Sequence, residues 1–197
     1  MKDKVTIDYY NRNCEAFSEG TINVDFEYQQ NKFLKYLANG SSILDLGCGA
    51  GRDGKAFLNK GFKVTAMDAS LELCKVASKY IGQTVICKSF DDLDYKEEFE
   101  GGWACASLLH VKLNDLEDII NKISISLKHS GYLYMSFKYG EFEGYINDRY
   151  FTYLTEDRLD NLLKGNNDLS IVEIYLSTDV RVGREDEKWI NVILKKE

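Results

Sequence analysis

Short apolar runs at residues 43–46, 63–67, 84–88, 103–107 and 132–137 alternate with longer stretches whose apolar residues recur at helical spacing. The helical pattern is clearest in 114–127, where Leu116, Ile119, Ile120, Ile123 and Leu127 share a stripe, and in 71–80, with Leu73, Ala77 and Tyr80. Neighbouring parallel strands need a crossover between them, usually a helix. The alternation therefore predicts an α/β fold: a mostly parallel sheet with helices on both faces. Residues 5–39, ahead of the first run, are helical in pattern. Past residue 155 the rhythm changes. Residues 155–164 read as a helix with Thr155 as N-cap and Glu156 and Asp157 in its first turn. Two runs, 171–177 and 189–194, then follow with no helix between them, so the sheet is expected to end in an antiparallel strand. Asn114 with Glu117 three residues on predicts a capping pair for the 114–127 helix.

With 197 residues the chain suits one domain. Its expected parts are an N-terminal helical lid (1–40), a ligand-binding core (41–137), and a substrate-side insertion, helix and terminal strand pair (138–197). A net charge of −7 argues against broad nucleic-acid binding. No apolar stretch approaches the roughly 18–20 residues of a membrane span, and the first residues carry no apolar signal region, so a cytoplasmic protein without a membrane partner is expected. The cysteines, Cys14, Cys48, Cys74, Cys87 and Cys105, form no CxxC pair, and His110 and His129 are the only imidazoles. That set predicts buried thiols and no metal site.

The first run ends in ILDLGCGAGRD, residues 43–53. In an open α/β sheet, ligands bind beyond the carboxyl ends of the strands, and this loop lies there. A dinucleotide loop needs GxGxxG, but counting from Gly47 puts Arg52 in the last glycine slot. A nicotinamide-dependent oxidoreductase is thereby disfavoured.

The spacing Asp45-x-Gly47-x-Gly49-x-Gly51 instead resembles motif I of the class I S-adenosylmethionine-dependent methyltransferases. The segments CASLLHV, SFKYGEFEG and RYFTYLTEDRL look like those of small bacterial members with unassigned substrates. The resemblance implies a Rossmann-like seven-stranded sheet of order 3-2-1-4-5-7-6 with strand 7 antiparallel, and S-adenosyl-L-methionine as cofactor with S-adenosyl-L-homocysteine as product. It carries cofactor binding onto Asp45, Gly47, Cys48, Gly49 and Gly51 at the amino-acid end, and onto Asp68 and Ala69 at the ribose. Phe90 and Asp91 would meet the adenine, and Ser107 and Leu108 the methionine. Tyr9 and Tyr10 belong to the expected lid, Tyr9 toward the cofactor and Tyr10 toward the substrate. Where the family has Lys-Pro-Gly-Gly before its fifth strand, this chain has Lys128-His129-Ser130-Gly131.

Methyl transfer from a sulfonium is an in-line displacement that rests largely on alignment, and a base is needed only if the acceptor must lose a proton. His110, just past the fourth run, is the candidate base. Lys138, Arg149, Arg181 and Arg184 are expected at the pocket mouth, where they would bind an anionic small-molecule substrate or pair with nearby acids. Arg52 has two readings, a cofactor carboxylate or an ion pair with Asp53. The expected function is methyl transfer to a small molecule. A cofactor-binding module without turnover, or transfer to a protein, are the alternatives.

Overall fold

In the first strand Leu44 and Leu46 face one way and Ile43 and Asp45 the other, the period-2 alternation of a strand buried on both sides. This computed structural model describes residues 3–166 and 168–197. Three helices open the chain: α1 (Lys4–Arg12), α2 (Cys14–Glu19) and α3 (Glu27–Leu34). Then come β1 (Ser42–Leu46), α4 (Arg52–Asn59), β2 (Lys63–Asp68), α5 (Leu71–Ile81), β3 (Ile86–Cys87), β4 (Phe99–Ala104), α6 (Leu113–Ser126) and β5 (Leu127–Lys138). The chain ends with β6 (Glu143–Ile146), β7 (Arg149–Thr152), α7 (Glu156–Leu163), β8 (Leu169–Thr178) and β9 (Lys188–Lys196).

The main sheet has seven strands in the order β3-β2-β1-β4-β5-β9-β8. Pairing is parallel from β3 through β5, and β9 lies antiparallel between β5 and β8. With the outlying hairpin β6–β7 set aside, this is the expected order, with the last strand reversed. On one face Leu44, Leu133, Met135 and Val192 pack against Leu116, Ile120 and Ile123 of α6 and Leu159 of α7. On the other, Trp103 stacks on Tyr134 at 4.0 Å, with Phe33 of α3 and Phe57 of α4 closing over them.

Three local expectations change. Strand β4 starts at Phe99, not 103, and runs through Gly101 and Gly102. A Cβ at Gly101 would lie 2.8 Å from Leu37 and 2.9 Å from Phe33, so the missing side chain is what lets α3 press onto the sheet. Asn114 does not cap α6. Its N-cap is Lys112, and the Leu113 N–H donates instead to Glu143 Oε1 at 3.0 Å, a partner from β6. The insertion after β5 folds as its own antiparallel hairpin. Its tip, Asn147 and Asp148, has φ values of 49° and 59° at both central positions, the primed turn that matches strand twist. Thr155 does cap α7, accepting from the Arg158 N–H.

Candidate active site

The carboxyl ends of the parallel strands gather the glycine loop after β1, Asp68 after β2, Phe90–Asp92 after β3 and Ala106–His110 after β4. Gly47 has φ +73°, and a Cβ there would sit 2.5 Å from the Ser107 Cβ and 3.3 Å from the Phe90 ring. Those neighbours line the space where the loop's backbone is bared. Gly51 serves packing instead. With φ +90° it starts α4, and its Cβ would lie 2.8 Å from Ile81 of α5.

Two joined cavities lie above this edge. The inner one, of ≈ 130 Å³, is bounded by Asp68, Ala69, Phe90, Asp91 and Ser107. The outer one, of ≈ 170 Å³, is bounded by Asp45, Arg52, Ser136, Lys138, Arg149 and Arg181 among others. Tyr10, Phe17, Gly47, Gly49, Ala106 and His110 border both, so the junction runs between the lid aromatics and the glycine loop. Ala106 holds a positive φ of 50° there, and its N–H donates to Ser136 Oγ. Backbone strain of this kind concentrates at functional sites.

The buried acids differ in their surroundings. Asp45 is 2% exposed and its Oδ2 has no hydrogen-bond partner. Burial, reinforced by the Asp53 charge, pushes its carboxyl well above the usual range. Asp68 is enclosed as well, which raises it to about 6, against the pull of N–H groups from Ser70 and Gly49. Ser70 caps α5. Asp53 is the opposite case. Burial works against its charge, but a two-point pair with Arg52 at 2.8 and 2.9 Å, plus Gln30 Nε2 and Trp103 Nε1, holds it below its ordinary value. Arg52 therefore takes the second of its two readings, its guanidinium lying over Phe26 at 4.3 Å, although it still borders the outer cavity.

At the junction, Tyr10 Oη lies 2.9 Å from His110 Nε2, and His110 Nδ1 lies 2.6 Å from the Tyr150 carbonyl oxygen. A carbonyl can only accept, so Nδ1 carries the proton and Nε2 accepts from the Tyr10 hydroxyl. Burial brings His110 down to about 4, and the nearby Arg149 charge adds to this. The imidazole is thus neutral, with its basic nitrogen turned to the cavities. Arg149 lies between the rings of Tyr9 at 4.6 Å and Phe151 at 5.2 Å, with its Nε buried and unpartnered.

Of the predicted residues, Asp45, Gly47, Cys48, Gly49, Arg52, Asp68, Ala69, Phe90, Asp91, Ser107, Tyr10, His110, Lys138, Arg149, Arg181 and Arg184 border the cavities. Leu108 is fully buried in the core beneath them. Tyr9 turns away to cover Arg149 while Tyr10, next to it on α1, faces the junction. Lys138, Arg181 and Arg184 are neutralised locally. Lys138 pairs with Glu187, Arg181 with Asp179, and Arg184 with Glu187 at 2.6 and 2.8 Å. Sequence reading missed Ser136 and Asn191, buried polar residues on the outer-cavity wall, and their signal was a lone polar residue inside an otherwise apolar strand. Asn191 accepts from the Tyr134 hydroxyl at 2.7 Å and donates to Ser177 Oγ at 2.9 Å.

These features fit S-adenosylmethionine. Asp45 Oδ2 is an orphaned acceptor suited to its ammonium group, and the Cβ-free wall at Gly47 leaves room beside Phe90 for a ligand pressed on backbone.

Comparison with known proteins agrees. Residues 43–131 match the family model described as a methyltransferase domain. No curated protein matches the chain. Among solved structures, the chain resembles the 1,6-didemethyltoxoflavin-N1-methyltransferase of Burkholderia thailandensis, bound to 1,6-didemethyltoxoflavin and S-adenosylhomocysteine, with TM-score 0.78 and 19% identity over 98% of this chain and 87% of that one. Magnesium protoporphyrin IX methyltransferase of Synechocystis PCC 6803, with S-adenosylhomocysteine bound, gives 0.76 and 16%, covering 100% of both chains. The [4+2]-cyclase SpnF gives 0.72 and 14%, covering 96% of this chain and 94% of that one. The methyltransferase-domain match over residues 43–131, set in a sheet of this order, makes the chain similar to S-adenosylmethionine-dependent methyltransferases.

Proposed function

We propose that the chain methylates a small anionic molecule held at the Arg149 side of the outer cavity, next to a cofactor lying across the inner cavity, the junction and the Asp45 side of the outer cavity. The observation that carries this reading is the pair of joined cavities, with the orphaned Asp45 Oδ2 at the glycine loop and cationic side chains on the outer wall. Asp45 takes the cofactor's ammonium group, Asp68 accepts from its ribose hydroxyls, and Phe90 and Asp91 flank its adenine. When bound, the cofactor's sulfonium supplies a methyl whose bond to the acceptor forms as the carbon–sulfur bond breaks, the electron pair going to sulfur. Tyr10 and Phe17 exclude water from the junction, and His110 Nε2 takes the acceptor's proton, directly or through the Tyr10 hydroxyl. A small acceptor is favoured over a protein because α1 and the β6–β7 hairpin roof the outer cavity together. Thr6 Oγ1 accepts from the Tyr150 N–H and Tyr145 Oη donates to Asp3 across that seam.

Calorimetry should show S-adenosylmethionine and S-adenosylhomocysteine each binding at one site. A radiolabelled methyl should then pass from the cofactor to a component of a small-metabolite extract. Binding of neither ligand at millimolar concentration would overturn the reading, and binding without transfer would leave a cofactor-holding module.

The acids set the pH behaviour. Ribose hydroxyls donate to ionised Asp68, so cofactor affinity should fall as pH drops through about 6. His110 is neutral down to about 4 before the acceptor binds, so kcat/KM for the acceptor at saturating cofactor should show no inflection near 6.5. A kcat/KM limb at the ordinary histidine value would refute the neutral, Nδ1-protonated imidazole.

A further inference from the structure

Arg149 is the cation on the outer wall that no carboxylate of the described residues neutralises, its guanidinium lying beside the Tyr10 hydroxyl. It opens β7, opposite Ile146, directly after the turn at Asn147 and Asp148. The acids nearest in sequence are otherwise engaged. Asp148 pairs with Arg12, and Glu143 pairs with Arg158 while accepting from the Tyr150 hydroxyl and the Leu113 N–H. Among the described residues no ion pair reaches Arg149, whereas Lys138, Arg181 and Arg184 share Glu187 and Asp179. Its Nε is buried with no acceptor. A buried donor without a partner costs on the order of 1–3 kcal/mol, more when charged, so such a group fits a site that a ligand completes.

Resting on the methyl-transfer reading, we infer that the acceptor carries a carboxylate and that Arg149, wedged between Tyr9 and Phe151 beside the Tyr10–His110 pair, is the residue that holds it. The guanidinium carbon lies 4.6 Å from the Tyr9 ring centre and 5.2 Å from that of Phe151, which narrows a ligand's approach to it. A planar carboxylate matches the guanidinium fork and takes two parallel N–H bonds. One unpaired guanidinium calls for one negative charge. A phosphate dianion would bring a second charge into a cavity already bordered by Asp45 and Asp179. The neighbouring walls, with Phe26, Phe151 and Trp189, take an apolar ring or chain. The ion-paired carboxylate oxygens are poor nucleophiles, which makes the methylated atom another oxygen or nitrogen of the same molecule. Recognition is also linked to proton handling. Arg149's charge is one of the influences that hold His110 low, and a carboxylate that neutralises it returns proton affinity to Nε2 when the acceptor is in place.

Benzoate, benzamide and phenyl phosphate serve as probes, titrated into the free protein and into its S-adenosylhomocysteine complex while the Arg149 Nε–H signal is followed by ¹⁵N–¹H NMR. Benzoate should shift that signal saturably, with benzamide at least tenfold weaker. Arg149→Met and Arg149→Lys should each weaken benzoate by at least tenfold and leave S-adenosylhomocysteine affinity within threefold. The lysine variant keeps the charge and serves if the methionine variant does not fold. Equal binding of benzoate and benzamide, no saturable shift, or phenyl phosphate binding tenfold tighter than benzoate would overturn the inference. Failure of S-adenosylhomocysteine to bind would instead remove the methyl-transfer reading, and the benzoate titration of the free protein would still decide the role of Arg149.

Discussion

Asp45→Asn is expected to bind S-adenosylmethionine roughly 30- to 5,000-fold more weakly than the parent chain, while its free form melts no lower. The two halves of this result have one cause. Asp45 is buried with an unsatisfied Oδ2 and sits at the foot of the glycine loop. In the free protein no cation pairs with it, and burial and then Asp53 push its carboxyl well above the usual range against the opposing pull of the Arg52 charge. The folded chain therefore binds a proton that the unfolded chain releases near pH 4. That contribution to stability is full below pH 4 and is lost as pH rises through the folded value. Asparagine keeps the shape without the charge and removes the cost at neutral pH. In the proposed reading the cofactor's ammonium group supplies the missing partner. Deleting one member of a buried, hydrogen-bonded charge pair costs about 2–5 kcal/mol, which sets the quoted range. Calorimetry for binding and a thermal melt of the free protein check both halves. An Asp45→Asn variant that binds within threefold of the parent would remove Asp45 from the cofactor site.

Asp53→Ala should lower stability by about 3–5 kcal/mol, the usual penalty for stripping one partner from a buried ion pair. At roughly 2–4 °C per kcal/mol for a chain of this size, the melting point should fall by about 6–20 °C. The carboxylate takes the Arg52 guanidinium at two points together with Gln30 Nε2 and Trp103 Nε1, so its loss orphans donors from α3, α4 and β4 at once. The double variant Arg52→Met, Asp53→Leu removes both charges and should recover at least half of the loss. Simple additivity of the two single changes would show that the pair is not coupled. The native pair also loses strength in acid. A carboxyl held below its ordinary value contributes stability above about pH 4, and that contribution disappears as pH falls through the lower folded value.

The sheet was legible because parallel strands buried on both sides must be written as nearly unbroken apolar runs, as in Ile43–Leu44 and Ala66–Met67. Strand β4 hid its beginning because Gly101 and Gly102 carry no side chain to read, although their emptiness is what α3 packs into. The hairpin was written in its turn pair, Asn147–Asp148, two residues that tolerate a positive φ, but β6 is largely exposed and β7 buries the adjacent Phe151 and Thr152, so neither strand gives an apolar alternation. Asn114 failed as a cap because Glu143, from another element, reaches the first amide of α6. Adjacent residues on a helix point about 100° apart, so sequence alone could not decide whether Tyr9 or Tyr10 faces the junction. The pairing of Lys138 with Glu187 joins β5 to the loop before β9, a match that only the folded sheet makes. Arg149 was one of four equivalent cations in the sequence, and tertiary pairing alone sets it apart.

The hairpin carries Arg149 on one residue and, on the next, the carbonyl of Tyr150 that fixes the His110 tautomer. In the proposed reading, choice of acceptor and control of its proton are thus fastened to one ribbon outside the main sheet. A lineage that exchanged this ribbon would change both together, while the cofactor half stayed as it was. Divergence among such chains should accordingly proceed by whole-cassette replacement of residues 139–154 more readily than by single changes within them.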